Sequence, residues 1–358
     1  MRNGVTESLD LLPNELLKMV VSYLDLKSAQ NFSVTSRKMN RLTLWKLWSK
    51  PRYNRKDMKF LHKISHFPIR ELHVQDFKCN WLEIIALVPQ LQLLHIDNDN
   101  DSKAIYYKPD ESLLPFVKVP VIVYTNSFSI TESEDFNKFL SILDSIELKE
   151  LVIDHSSYEE CSNGSQSAFS IEEFKILAER FCISEIHVNC IDLNEENVGE
   201  FIKTLSTIKD CRLEFWNVHP AYLFTVKDLQ LIVDLDNIRI TLVQTSCLSV
   251  NTNSELLDFI KVIKKMKYLK EIEINPFYES EYEMSPEELA LFKELPVRVY
   301  SIYLEALKLT KENKNEFLQI LKELKITHIT WFENMFDDDF WNDIKNLDQI
   351  EKTKLVDN

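Results

Sequence analysis

Two hydrophobic periods alternate along most of this chain. Short segments carry apolar residues at their first, fourth and sixth positions, with polar residues between. They read as half-buried strands: IRELHV (69–74), LQLLHI (91–96), VPVIVY (119–124), LKELVI (148–153), ISEIHV (183–188), IKDCRL (208–213), LDNIRI (235–240), LKEIEI (269–274), VRVYSI (297–302) and ITHITW (326–331). Between them lie EDFNKFLSILDSI, SIEEFKILAERF, NVGEFIKTLSTI, TVKDLQLIVDL, SELLDFIKVIKKMKYL, SPEELALFKEL and NKNEFLQILKEL. These place Leu, Ile or Phe at i, i+3, i+4 and i+7, which predicts helices with one apolar stripe. Several open on Ser or Asp followed by acidic residues, as a helix N-terminus favours. In the first strand, Ile69, Leu72 and Val74 alternate with Arg70, Glu71 and His73, so one face packs on helices and the other meets water. A doubly wound sheet needs strands apolar on both sides. The pattern therefore predicts an open α/β repeat: parallel strands, right-handed crossovers and helices on the outside, recurring about every 29 residues.

The amino-terminal stretch behaves differently. In LLPNELLKMVVSYLDLKSAQNF (11–32), Pro13 starts a helix running to Leu24. A second helix is expected from Ser28 as N-cap, and a third from Ser36 to Trp48. Leu16, Leu17, Met19, Val20, Val21, Tyr23 and Leu24 cover more than one face of the first helix. Three short helices cannot bury that much apolar surface among themselves, so the surplus needs a partner. SKPRYNRKDMKF reads as a connector into the helix DMKFLHKISHF, and DDDFWNDIKNLDQIEKTK (337–354) as a capping helix. The expected boundaries are a head at 8–50, a linker and first helix at 51–68, the repeat at 69–336, and a capping helix and tail at 337–358.

Charge and composition narrow the function. A net charge of −15 opposes phosphate binding and hence nucleic acid. With only 3 glycines there is no GxGxxG and no P-loop pattern. No run approaches the roughly 18 apolar residues of a membrane span, and the first fifteen residues lack the apolar core of a secretory signal. The six cysteines then read as reduced, mostly buried thiols, Cys182 and Cys190 included, in a cytoplasmic or nuclear protein. Asp97, Asp99 and Asp101 imitate half a calcium loop, but Ser102 and Lys108 stand where Gly and Glu are needed. His62 and His66 have no third ligand nearby. No nucleophile–base pattern stands out, so no catalysis, metal or cofactor is expected. Binding chemistry is expected instead from polar positions of the strands: Arg70, His73, His95, His187, Arg212, Glu214 and Arg239. Gln92, Glu185, Glu271, Glu273, Thr327 and Thr330 share that pattern, with Trp216 and Trp331 as aromatic anchors.

The head resembles an F-box. The resemblance rests on Leu12-Pro13, Glu15-Leu16, Val20, Tyr23-Leu24, Leu26, Phe32, Arg41-Leu42 and Trp45 or Trp48. It departs at Met39, where many members carry tryptophan. It implies a Skp-type adaptor as partner, touched by Leu12, Pro13, Glu15, Leu16, Val20, Tyr23 and Leu24. Through that adaptor it implies a cullin–RING (SCF-type) ubiquitin ligase, with this chain as its non-enzymatic substrate receptor. The repeat resembles leucine-rich repeats or the divergent strand–helix domains that follow F-boxes. The usual Asn after the strand is mostly absent, its place taken by Phe77, Asp99, Ser156, Trp216 and Phe277, with Asn334 the exception. The alternative is a repeat scaffold binding protein partners with no ubiquitin role; an α/β enzyme is disfavoured by the missing glycines.

Overall fold

The computed structural model describes residues 12–47, 52–53, 69–74, 88, 90–96, 119–125, 130, 133–154, 168–216, 222–277, 282–324, 326–332, 344 and 352–356. The chain divides into two compact units, residues 1–152 with 156–166, and residues 153–155 with 167–358. No helix among the described residues is long and apolar enough to cross a membrane.

The first unit begins with helices α1 (Asn14–Tyr23), α2 (Leu26–Ser33) and α3 (Arg37–Leu47). Leu17 packs with Met39 and Leu42, and half-buried Phe32 leans on the same cluster. Val21, one turn beyond Leu17, is also fully buried. The second helix starts earlier than expected: Asp25, not Ser28, is its N-cap, accepting the Ser28 N–H at 2.6 Å. A carboxylate at the cap also complements the helix dipole, which favours Asp25 over a serine inside the first turn. Ser36 caps α3 as expected, its Oγ accepting the Met39 N–H at 3.2 Å.

Strands β1 (Arg52–Tyr53), β2 (Glu71–Val74), β3 (Leu93–Ile96), β4 (Val121–Tyr124) and β5 (Leu148–Ile153) follow. Each pairs in parallel with the next in chain order. β1 lies inside the expected linker, where two residues give too little pattern to read. Helix α4 (Ser133–Ser145) enters β5 with Phe136, Phe139, Leu140, Ile142 and Leu143 buried.

The second unit repeats the theme: α5 (Ile171–Arg180), β6 (Ile183–His187), α6 (Val198–Leu205), β7 (Cys211–Phe215), α7 (Val226–Val233), β8 (Ile238–Gln244), α8 (Asn253–Ile263), β9 (Glu271–Ile274), α9 (Pro286–Ala290), β10 (Arg298–Tyr303), α10 (Lys314–Leu324), β11 (His328–Phe332) and β12 (Lys352–Val356). Strands β6 to β12 are parallel and lie in chain order, the arrangement of a leucine-rich-repeat-like α/β solenoid. All ten strands expected from sequence are present. The terminal helix expected to reach Lys354 gives way by Lys352 to β12, which extends the sheet beside β11. Helix α9 stops after five residues and tightens into a 3-10 turn, Leu291–Glu294, because Pro296 bars helical conformation just before the chain enters β10.

The repeating unit is a pair of strands, twice the expected length. Phe169, Phe224 and Met284 each bridge in parallel to Ile191, Leu248 and Leu307, roughly every 57 residues. Each bridge follows a strand that runs into one 3-10 turn: Val188–Cys190, Thr245–Cys247 and Leu304–Ala306. The residue after Phe169, Phe224 or Met284 then caps a helix, and all three caps are full capping boxes: Ser170 with Glu173, Thr225 with Asp228, Ser285 with Glu288. Tyr222 and Tyr282 donate their hydroxyls to two of these carboxylates at 2.9 and 2.6 Å. Under the strands runs a file of buried phenylalanines, with ring centroids 5.5 Å apart for Phe174–Phe201 and 6.4 Å for Phe201–Phe224.

The missing asparagine ladder is partly replaced by a threonine. Thr245 Oγ1 accepts the Asn275 N–H at 2.8 Å and donates to the Asn275 carbonyl at 2.6 Å, tying β8 to β9 where their ladder ends. Thr245→Val keeps the shape and strands both buried backbone groups. It is expected to lower stability by about 2–4 kcal/mol, against about 1 kcal/mol for the exposed cap change Thr225→Ala, read from urea unfolding of the full chain.

Candidate functional site

Helix α1 carries two apolar stripes and buries one. Leu17 and Val21 face the head's core, while Leu16, Met19, Val20 and Tyr23 recur at i, i+3, i+4 and i+7 on the opposite side. Leu12 extends that outer stripe by one turn toward the amino terminus. Met19 is 58% and Tyr23 86% exposed, and Leu12, Leu16 and Val20 are exposed as well. Lysines of α3 hold the helix at both ends. Lys38 Nζ donates to the Leu12 carbonyl and Lys46 Nζ to the Ser22 carbonyl, each at 2.8 Å. The helix is thus fixed in place through its backbone while its outer side chains stay bare.

Of the residues expected to touch a partner here, Leu12, Pro13, Glu15, Leu16, Val20 and Tyr23 are exposed and Leu24 is half-buried. Met19 belongs with them and was missed, although helical spacing from Leu16 and Tyr23 points to it. Met39 lies in the head's core at 2% exposure, so its substitution for tryptophan acts on packing and not on the outer stripe.

The strand face is the second candidate. In the first unit Arg70 and Gln92 are exposed, but His95 is not available to a partner. It is buried against Glu71, with Nε2 3.0 Å from Oε1. The side chains of His73 and Trp331 lie outside the described residues, as do Asp97–Asp101 and His62 with His66. Thr327 and Thr330 are buried, against expectation, because neighbouring strands cover so short a side chain. Cys182 is exposed where a buried thiol was expected, since it sits in the turn before β6; Cys190, Cys211 and Cys247 are buried.

In the second unit the strands bring several expected residues together. His187 Nδ1 lies 2.8 Å from Asp154 Oδ1, and Nε2 lies 3.2 Å from Glu185 Oε1 and 3.4 Å from Glu214 Oε2. Arg212, one strand over, reaches Glu185 at 3.0 Å and Glu214 at 2.7 Å. Trp216 meets His187 edge-on, with ring centroids 6.0 Å apart. Arg239 stands apart, paired with Asp210, which adopts the left-handed φ of 53° that Asp tolerates. Burial opposes charge on His187, but contacts with Asp154 and Glu185 and the nearby Glu214 charge outweigh it, raising its pKa to about 10. Glu185, His187 and Glu214 offer ligand atoms within 4.8 Å of one another. A proton on His187 and the Arg212 guanidinium already neutralise much of that cluster, so a metal would have to displace both.

Glu271 and Glu273 on β9 complete the face. Glu273 accepts from Gln244 Nε2 at 2.7 Å, and no ion pair to either glutamate occurs among the described residues. Burial first, then the Glu271 and Glu214 charges, raise the pKa of Glu273, partly offset by Gln244.

The His187 network sets a pH signature. With a folded pKa near 10 against an unfolded value near 6.5, the imidazolium's contribution is complete below pH 6.5 and fades as pH rises toward 10. The stability gap between the wild type and His187→Gln should therefore be widest at pH 6, on the order of a few kcal/mol, and narrow steadily to pH 10 in urea titrations. A constant gap would mean that the histidine is neutral.

Comparison with known proteins follows this geometry. The model of the F-box domain family matches residues 9–49. No curated protein matches the chain. Among solved structures, an internalin from Listeria monocytogenes is similar over 96% of this chain and 89% of its own, at 8% identity and a TM-score of 0.32. The strand–helix repeat rests on its own strand order and register. The family match falls on the three helices whose outer apolar stripe stands bare: residues 9–49 are an F-box domain, followed in this chain by a parallel α/β repeat.

Proposed function

We propose that this chain is a substrate-recognition subunit of a cullin–RING ubiquitin ligase. Its F-box docks on a Skp-type adaptor and its repeat, over residues 69–336, captures a protein target. One observation carries the reading: a rigidly held helix presents Leu12, Leu16, Met19, Val20 and Tyr23 to solvent, with the core complete beneath it. Adaptor binding is what F-box domains generally do, and an unpartnered stripe of this length is costly to leave in water. Each such side chain removed from water is worth about 1.5–3 kcal/mol, so four or five suffice for a stable complex. Ubiquitin transfer itself falls to the partners. A cytoplasmic or nuclear setting goes with that role.

The test is co-elution with a purified Skp-type adaptor on size exclusion. Leu16→Asp places a charge in the middle of the stripe without touching Leu17 or Val21, and is expected to weaken the complex at least about a hundredfold. Val34→Asp, at a still more exposed position just past the end of α2, is expected to leave it intact. No complex with the wild type would leave a repeat scaffold without a ligase role.

A further inference from the structure

The exposed stripe of α1 stands on a helix that does little to hold its own ends. At 10 residues α1 is shorter than the roughly 12–15 a helix needs to persist alone. Its N-cap is Pro13, which offers no side-chain acceptor, whereas Asp25 caps α2 and Ser36 caps α3. Its last turn carries no basic residue to oppose the negative end of the dipole. Leu17 and Val21 anchor its middle, and neither reaches the ends.

Helix α3 supplies what α1 lacks. Lys46, in the last turn of α3, donates from Nζ to the Ser22 carbonyl at 2.8 Å. That carbonyl belongs to the planar peptide group joining Ser22 to Tyr23, so the bond fixes the backbone from which Tyr23 departs. It also sets a cation at the end of α1, where the last carbonyls have no partner within the helix. With 86% of its surface in water, Tyr23 takes its position from this backbone and not from packing. Leu24 then turns extended, at φ −70° and ψ 144°, and its N–H closes on the Val21 carbonyl. The Ser28 hydrogen bonds above all, and more weakly the Lys46 charge, hold the Asp25 carboxyl below its usual range. One lysine thus acts on the end of α1 and on the cap of α2. At the opposite end Lys38 Nζ donates to the Leu12 carbonyl, in the peptide group entering Pro13. Both lysines are half-buried, so their stems lie against the head while their ammonium groups reach the backbone of α1.

We propose that Lys46, with Lys38 at the opposite end, is a positioning residue for adaptor docking. The two hold Tyr23 and Leu12, the outermost side chains of the stripe, in the bound arrangement before the partner arrives. This rests on α1 being the adaptor-binding helix. It makes affinity depend on two charges that lie on a different helix from the apolar stripe. Order already present in the free head is order that the complex need not create.

The experiment uses the full chain and a purified Skp-type adaptor, with affinity read by calorimetry and amide hydrogen exchange read on the free chain over residues 12–25. Lys46→Met keeps the apolar stem and removes the ammonium group. It is expected to weaken the adaptor about three- to tenfold and to speed exchange at the end of α1. Lys46→Arg keeps a charged donor and should return affinity to within about twofold of the wild type. Lys38→Met should act in the same direction, and the double change should exceed either alone. Ala29→Gly loosens the head through α2, leaving α3 and the stripe unchanged, and should lower the unfolding midpoint while affinity stays within about twofold. Weakening by Ala29→Gly as large as that by Lys46→Met would reduce the lysine to general stability and overturn the proposal. Unchanged binding by Lys46→Met, or no recovery in Lys46→Arg, would overturn it as well. When the wild type binds and Lys46→Met binds equally, this inference falls alone; when the wild type fails to bind, the ligase role falls and takes the inference with it.

Discussion

A strand–helix pair cannot hide its own apolar face, and this one constraint organises the chain. Each helix offers a stripe and each strand one side, and both are covered only when the next pair stacks against them. The fully buried phenylalanines Phe174, Phe201, Phe224, Phe259, Phe292 and Phe317 mark those shared faces through the second unit. Ion pairs such as Lys264–Glu294 and Lys293–Glu323 bridge neighbouring pairs on the outside, but exposed pairs of this kind contribute little. The stack is held by burial and by the backbone ladder, and polar residues are left to settle register and partners. The head escapes the constraint by closing a small core of its own around Leu17, Met39 and Leu42. Closing it uses one side of α1 only. The apolar stripe on the other side follows from having too few helices to cover both.

That economy of burial explains what sequence could reveal. Strands that alternate Ile or Leu with Glu, Arg or His announce their faces, because most of their apolar residues are the ones that pack inward. The ten strands and the seven later helices were legible for that reason. β1 was not, because two residues cannot show an alternation. β12 was masked by a competing signal: Asp337–Asp339 read as the acidic start of a helix running to Lys354, and pairing with β11 overrides that reading from Lys352. The doubled repeat was missed because averaging the strand spacing hides an alternation between strands that run into a 3-10 turn and strands that do not. The full capping boxes at Ser170, Thr225 and Ser285 mark that alternation, one to every second helix, but Thr252 with Glu255 on α8 repeats the sequence pattern without closing the box and so hides it.

Candidate binding residues were legible only as to face. Period two places His95, His187, Arg212 and Glu214 on the polar side, but says nothing of whether a neighbour has already claimed them. Register decides that. Glu71 and His95 sit close across β2 and β3, so the histidine is satisfied internally. His187 is enclosed because Asp154, just past Ile153, and Glu214 on β7 both reach it. Leu242 and Gln244, neutral residues on β8, give Glu271 and Glu273 no cation on that side, while Arg298 stands opposite Glu271 on β10. A residue's availability is thus written in the adjacent strand, roughly thirty positions away in sequence.

The same logic separates the two surfaces by the kind of energy each can deliver. The α1 stripe is apolar and preformed, so docking there gains from every ångström squared removed from water and loses little to ordering, since Lys38 and Lys46 already fix the helix. It suits a partner bound for the life of the complex. The glutamates on β9 gain only as much as their own burial has already cost, and salt screens the approach of a partner. Raising the ionic strength should therefore leave docking on the helix largely intact, because hydrophobic contact is not weakened by screening as ion pairing is.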